Sequence, residues 1–164
     1  MADKDIQEFG RFHQGYLTSY IQLADTKAAA VFTVVGGILA YVLSKNPFRH
    51  ALDGPLSWPS AIAWSTTAAL VLAAGLSFHV LLPRLDRTGK GPIFFLSVVE
   101  YRSAAKYGAS VKAMSAAEMS EAMLQQSYDL STVCRKKYRQ LRSSMVVGLA
   151  AVALTAISMW KVPL

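Results

Sequence analysis

Three stretches of this chain contain no Asp, Glu, Lys or Arg: Ala28 to Leu43, Ala61 to Leu82, and Ser143 to Trp160. A helix needs about 17–25 mostly apolar residues to cross a hydrocarbon core of roughly 30 Å, so the second and third suffice outright. The first is slightly short, and Lys27 and Lys45 extend it by snorkelling to the interface. The rival reading is a soluble bundle with three buried helices. A chain of 164 residues that is 53% hydrophobic and only 16% charged lacks the material to cover helices apolar on every side. The expected fold is all-α, a membrane protein with three transmembrane helices and a cytoplasmic helical bundle formed by long helix extensions. As one domain over 1–164, it would have spans at about 28–43, 61–82 and 145–162, with cytoplasmic helices at about 4–27, 93–110 and 116–144.

Ahead of Ala28 stand Asp3, Asp5, Glu8 and Asp25, unlike a short basic leader, so no signal peptide is expected and the first span should stay in the mature protein. Eleven of the seventeen Lys and Arg fall between Pro83 and Arg142, against five acids, while the connector between the first two spans carries only Lys45 and Arg49. Arg84, Arg87, Arg139 and Arg142 lie close to span ends, where the positive-inside rule weighs bases most. Tyr41, Trp58, Trp64 and Trp160 fall at the opposite ends, as an interfacial aromatic belt requires. The N-terminus and residues 83–144 are thus expected in the cytoplasm, and the C-terminus outside.

Between Lys4 and Lys27 there is no proline, and Ile6, Phe9, Phe12, Tyr16, Leu17, Tyr20, Ile21 and Leu23 recur at near-helical spacing, so this segment should run unbroken into the first span. Gly10 and Gly15 weaken the helix without ending it. Asn46, Pro47, Gly54, Pro55 and Pro59 break the connector. Pro83 stops the second span, Arg87 to Pro92 reads as a turn, and Ile93 to Val99 is too short to span. Glu100 to Ser110 is expected to continue as helix, ending around Tyr107 and Gly108. Ser115-Ala-Ala-Glu118 is a capping box, in which Ser and Glu each satisfy a backbone donor of the other. No breaker follows before Gly148, so one rod on the order of 70 Å should run into the third span. Ala29, Thr33 and Gly37 form one small-residue set, Ala69, Ala73 and Ser77 another, and Gly148, Ala151 and Thr155 a third. Such sets let helices approach within or between protomers, and a homo-oligomer is expected.

No catalytic signature stands out, so no enzyme activity is expected. His13, His50 and His79 are scattered, which argues against a metal site, and Gly89-Lys90-Gly91 lacks the spacing of a phosphate loop. Cys134, the single cysteine, reads as a small apolar filler. His13, Tyr20 and Lys27 share a helical face by their spacing of seven, either a stripe facing a polar cavity or a solvated face. Arg84, Arg87, Lys90, Arg102 and Lys106 flank the turn after the second span, and Arg135, Lys136, Lys137, Arg139 and Arg142 precede the third. These bases fit the inner leaflet, where each gains about 1 kcal/mol from anionic lipid. They equally suit an anionic ligand whose base stacks on Tyr101, Phe95 or Tyr138.

The ordered features resemble the Pycsar effector transmembrane family, the membrane effectors of pyrimidine cyclase systems for antiphage resistance. They are His13 on a first helix, Asp25-x-Lys27-Ala28 at the mouth of the first span, Pro83-Arg84 closing the second, and Gly91 with Phe94-Phe95. A helix with Gln126, Ser131 and Lys137-Tyr138 then runs into the last span. The resemblance covers nearly the whole chain. It implies an effector of the bacterial inner membrane whose partner, a pyrimidine nucleotide cyclase, acts through its product. Cyclic CMP or cyclic UMP would then trigger loss of membrane integrity and abortive infection. Nothing in the pattern resembles a separate cyclic-nucleotide-binding β-barrel with its phosphate-binding cassette, a departure from the ligand-gated layout, and the expected ligand site is among the cytoplasmic helices. Arg84, Lys90, Arg102 and Lys137 are the candidate phosphate contacts, since one or two bases match the single charge of a cyclic phosphodiester. Asp25 and Lys27 are the candidate gate or helix-junction contacts. No metal, cofactor or nucleic-acid polymer is expected, and membrane lipid is. The alternatives are a membrane scaffold whose basic face binds anionic lipid or a partner, and a holin-like pore.

Overall fold

The computed structural model describes residues 3–44, 58–82 and 93–161. They form α1 (Asp3–Ser44), α2 (Trp58–Leu81), α3 (Phe95–Val99), α4 (Ala104–Lys112) and α5 (Ala116–Lys161), and no strand occurs among the described residues. α1, α2 and α5 are long and apolar enough to cross a membrane. α1 is unbroken over 42 residues and α5 over 46, which makes α5 on the order of 70 Å long at 1.5 Å per residue. The chain divides into two compact units, one of Met1–Gln22 with Pro83–Lys136 and one of Leu23–Leu82 with Lys137–Leu164.

In the first unit, α1 and α5 meet where Gly10 faces Met123. A Cβ on Gly10 would lie 3.4 Å from Met123 Cβ, so Met123 seats close against the α1 backbone there, with room for no more than a methyl group. Gln14 Nε2 donates to the Met123 carbonyl at 3.1 Å, and Gln7 Nε2 reaches Ser120 Oγ at 3.4 Å. Leu17, Ser120, Met123 and Ser127 are buried here. The two serines donate to carbonyls one turn back, so burial leaves neither proton unpaired. Of the apolar positions that give α1 its periodicity, Phe9, Phe12, Tyr16, Tyr20 and Leu23 are exposed and only Leu17 is buried. Rings line that open face, Phe12 stacked on Tyr16 and Tyr20 tilted against Tyr16 with centroids 4.6 Å apart.

One expected helix is in fact two. Residues 93–110 do not form a single segment, because Ser103 adopts an extended backbone (φ −160°, ψ 156°) and its hydroxyl accepts from the Lys106 amide, which starts α4 afresh. α4 then passes through Tyr107 and Gly108 and ends at Lys112, beyond the expected stop. Gly108 has no positive φ and sits as an ordinary helical residue. The capping box forms as its spacing requires. Ser115 N–H donates to Glu118 Oε2 at 2.7 Å, and Glu118 N–H donates to Ser115 Oγ at 3.2 Å.

In the second unit, Val35, Val42, Leu70, Ala73 and Ala151 form an apolar core, with Ala24, Ala28, Val80 and Leu141 a second cluster. α1 buries Ala28, Val35 and Val42, seven residues apart, the repeat of a helix packed along a nearly parallel neighbour. α1 and α5 are close at Gly148, where a Cβ would make ordinary contact with the Val35 and Val31 side chains at 3.5 and 3.6 Å. The third small-residue set is buried, as are Ala73 and Ser77 of the second. Ala29, Thr33 and Gly37 are exposed.

The capping box has a consequence at low pH. The Ser115 amide and hydroxyl both bond the Glu118 carboxylate and hold its pKa below the ordinary value of 4.5. A group whose folded pKa is lowered adds stability above its unfolded pKa and loses it as pH falls through the folded value. The start of α5 should therefore fray on acidification. In an NMR titration, Glu118 should protonate below 4.5, and Ser115→Ala should move that midpoint back up.

Candidate functional site

Lys137 lies on the buried face of α5, in register with Leu141, Ser144, Gly148, Ala151 and Thr155, all buried. A lysine in an apolar register has either to neutralise or to find an anion, because desolvating an unpaired ammonium is prohibitively costly. Its Nζ donates to Asp25 Oδ1 of α1, forming an ion pair between residues 112 positions apart. The Lys137 side chain is 7% exposed and that of Asp25 37%, so the cation is inside while the carboxylate keeps one edge in contact with its surroundings.

The neighbours explain how the pair fits. Ala24 and Ala28, one turn apart on α1, are fully buried and carry too little side chain to hold α5 away. Val80, Leu141, Leu81 and Tyr138 complete the apolar cluster at this level. Further along α5, Ser144 Oγ lies 2.6 Å from Ser77 Oγ of α2. Ser77 spends its proton on the Ala73 carbonyl at 2.8 Å, which leaves Ser144 as the donor between the two hydroxyls. Polar contacts thus tie α5 to α1 and to α2 at one end of the spans.

The structure brings Asp25 and Lys137 together, which sequence reasoning had placed in different roles. Lys27, two residues from Asp25 and about 200° around the helix, is exposed and takes no part in the pair. Arg102 is exposed in the break between α3 and α4, in the other unit. Arg84 and Lys90 lie outside the described residues. Arg135, Lys136, Arg139 and Arg142 are exposed, so of the basic run before the third span only Lys137 turns inward. His13 is half-buried and stacks on Phe9 at 5.5 Å, while Tyr20 and Lys27 of the same stripe are exposed. Sequence reasoning missed the hydroxyl bond between Ser77 and Ser144. The pair itself left a signal, a lysine in the same helical register as Leu130, Cys134 and Leu141.

Two grooves run between α1 and α5 in this unit. One, of about 260 Å³, is lined by Ala30, Val31, Val34, Val35, Met145, Gly148, Leu149 and Val152. The other, about 400 Å³, lies around Gly37, Ile38, Tyr41 and Met159. Walls this apolar suit an acyl chain or another helix and offer a phosphate no cation. Among the described residues, no three of His, Cys, Asp and Glu converge as metal ligands would.

The chain matches the Pycsar effector protein domain family over residues 11–162. It is also similar to the Pycsar effector protein SaPycTM of Staphylococcus aureus, at 26% identity over 142 residues, covering 86% of each protein. No solved structure matches it.

Removing either partner of the pair should have unequal effects. Asp25→Ala strands a buried ammonium and should cost roughly 3 kcal/mol, the low end for a buried pair because Asp25 is partly exposed. Lys137→Met removes the charge with its desolvation penalty and should cost clearly less. The double variant should resemble Lys137→Met alone. Unfolding midpoints of the purified proteins in one detergent would show this order, and equal losses for both single variants would contradict it.

Proposed function

The chain belongs to the Pycsar effector family, multi-pass membrane proteins of antiphage defence that work with a pyrimidine cyclase, and we propose that cyclic CMP or cyclic UMP triggers it to breach the inner membrane. The infected cell then stops growing before phage release. The buried Asp25–Lys137 pair is the observation that supports this reading most directly. A cyclic phosphodiester carries one negative charge, as Asp25 does, and competes for the same ammonium. Where it takes Lys137, Asp25 is released towards its exposed edge, and the polar tie between α1 and α5 is lost.

A ligand can shift such an equilibrium only by its difference in affinity for the two states. Moving a bundle from 1% to 99% open needs about a 10⁴-fold preference for the open form. A charge-assisted contact to a desolvated ammonium is a source of preference on that scale, because the closed state offers the phosphate no access to it. Tyr138, beside the pair in the apolar cluster, is the proposed platform for the pyrimidine ring. For Arg84, Lys90 and Arg102 the proposed part remains phosphate contact, on charge alone. Lys27 remains the proposed junction residue. The exposed Arg135, Lys136, Arg139 and Arg142 suit the anionic inner leaflet, with the N-terminus and residues 83–144 in the cytoplasm and the C-terminus outside. The protein acts as a homo-oligomer in this reading.

That exposed basic run also favours a second reading, a scaffold that binds lipid and takes no nucleotide. Calorimetry with cyclic CMP, cyclic UMP and their purine counterparts, paired with dye release from proteoliposomes, separates the readings. Binding and release with a pyrimidine ligand only is expected of the wild type, while Lys137→Met loses the binding and, with its tie to Asp25 gone, shows no release that depends on ligand. No binding by any of the four leaves the scaffold, and release without ligand points to a holin-like pore.

A further inference from the structure

Among the described residues, Val34, Val71, Leu72, Phe78, Val146, Leu149 and Ile157 are exposed apolar side chains on the spanning part of the second unit, with the exposed His79 near one end of α2. Thr33 and Ser65 are exposed hydroxyls, and each donates to a carbonyl of its own helix. The buried side is different. Ser60, Thr66 and Ser77 of α2 and Ser144 and Thr155 of α5 are all buried, so the interior of the bundle is more polar than its surface. From Lys137 to Thr155 the α5 members cover about 27 Å at 1.5 Å per residue, close to the roughly 30 Å of a hydrocarbon core. The line is interrupted at Leu141, which packs with Ala28 and Val80 between Lys137 and Ser144, and again further along. Val35 and Leu70, with Ala73 and Ala151, form a dry layer between the Ser77–Ser144 bond and the Thr66 and Thr155 hydroxyls. Thr66 Oγ1 is buried with no hydrogen-bond partner, a group that gains one either by turning to a carbonyl of its own helix or when water enters.

Assembling intact protomers through their outer faces would therefore enclose an apolar, dewetted ring. Resting on the reading that this protein breaches the membrane, we infer that the aqueous path is lined by this internal hydroxyl seam, exposed when α1, α2 and α5 part. The Val35–Leu70 layer is its hydrophobic gate. Side chains of this kind stop ions by excluding water rather than by filling space, so the gate fails when either becomes polar. The hydroxyls cost little to hide in the closed state because most bond a carbonyl or each other, and they become the wetted wall in the open one.

Two experiments in dye-loaded liposomes test this. On a Cys134→Ser background, single cysteines at Ser77, Ser144 and Thr155 should react with a charged, membrane-impermeant thiol reagent at least 10-fold faster when cyclic CMP or cyclic UMP triggers dye release. Cysteines replacing Val34, Val71 and Leu149 should not change. Release with the outer set reacting instead, or with neither set reacting, overturns the seam. Absence of release from the wild-type protein with either ligand counts against the ligand-gated reading, and the gate is then decided without ligand. Leu70→Ser should leak constitutively, at least 10-fold above Leu72→Ser, whose outward side chain serves as the control. Equal tightness of folded Leu70→Ser and Leu72→Ser liposomes overturns the gate.

Discussion

An ammonium removed from water must be given an anion, and the arrangement of the unit that holds the spans follows from how Lys137 meets that demand. Asp25 supplies the charge from α1, and the pair is possible only because Ala24 and Ala28 beside it are small enough for α5 to come close. The contact stabilises this packing less by its own attraction than by the penalty of breaking it, since the ammonium alone would be stranded in apolar surroundings. A contact of that kind makes two discrete states more natural than a continuum, because a half-broken pair is worse than either end. The proposed response to an anion uses that property.

Local chemistry was well written in the chain. The run lengths of Ala61 to Leu82 and Ser143 to Trp160, and the Ser115 to Glu118 box, depend on nearest neighbours and on the solvent. The helices and the cap appear where they imply. Ser103 carried the same sort of signal as Ser115, without an acid three residues on, and the reading passed over it. The result was one expected helix where α3 and α4 stand. What could not be read was which helical face meets which. The small-residue sets on α1, α2 and α5 look alike in sequence. In the structure the α5 set packs inside the protomer, while Ala29, Thr33 and Gly37 stay on its surface. Burial is decided by partners more than a hundred residues away, as for Asp25 and Lys137. One basic run thus held four exposed residues and one buried one with no local mark except register.

The two kinds of polar group in the second unit sit where their desolvation costs allow. The charged pair sits at one end of the spans, where Asp25 keeps part of its surface exposed. Hydroxyls, which can spend their protons on a carbonyl one turn back, occupy the depth where a charge would be far more costly. A protein that is to be harmless until triggered needs both choices. Reversing them, with charges at mid-span, would either unfold the closed bundle or wet it at rest. With the ion pair at the end and Val35 and Leu70 at the centre, the trigger and the barrier are different residues, and α1 carries one of each. In the proposed mechanism, a ligand that never enters the membrane can then release a seal it never touches.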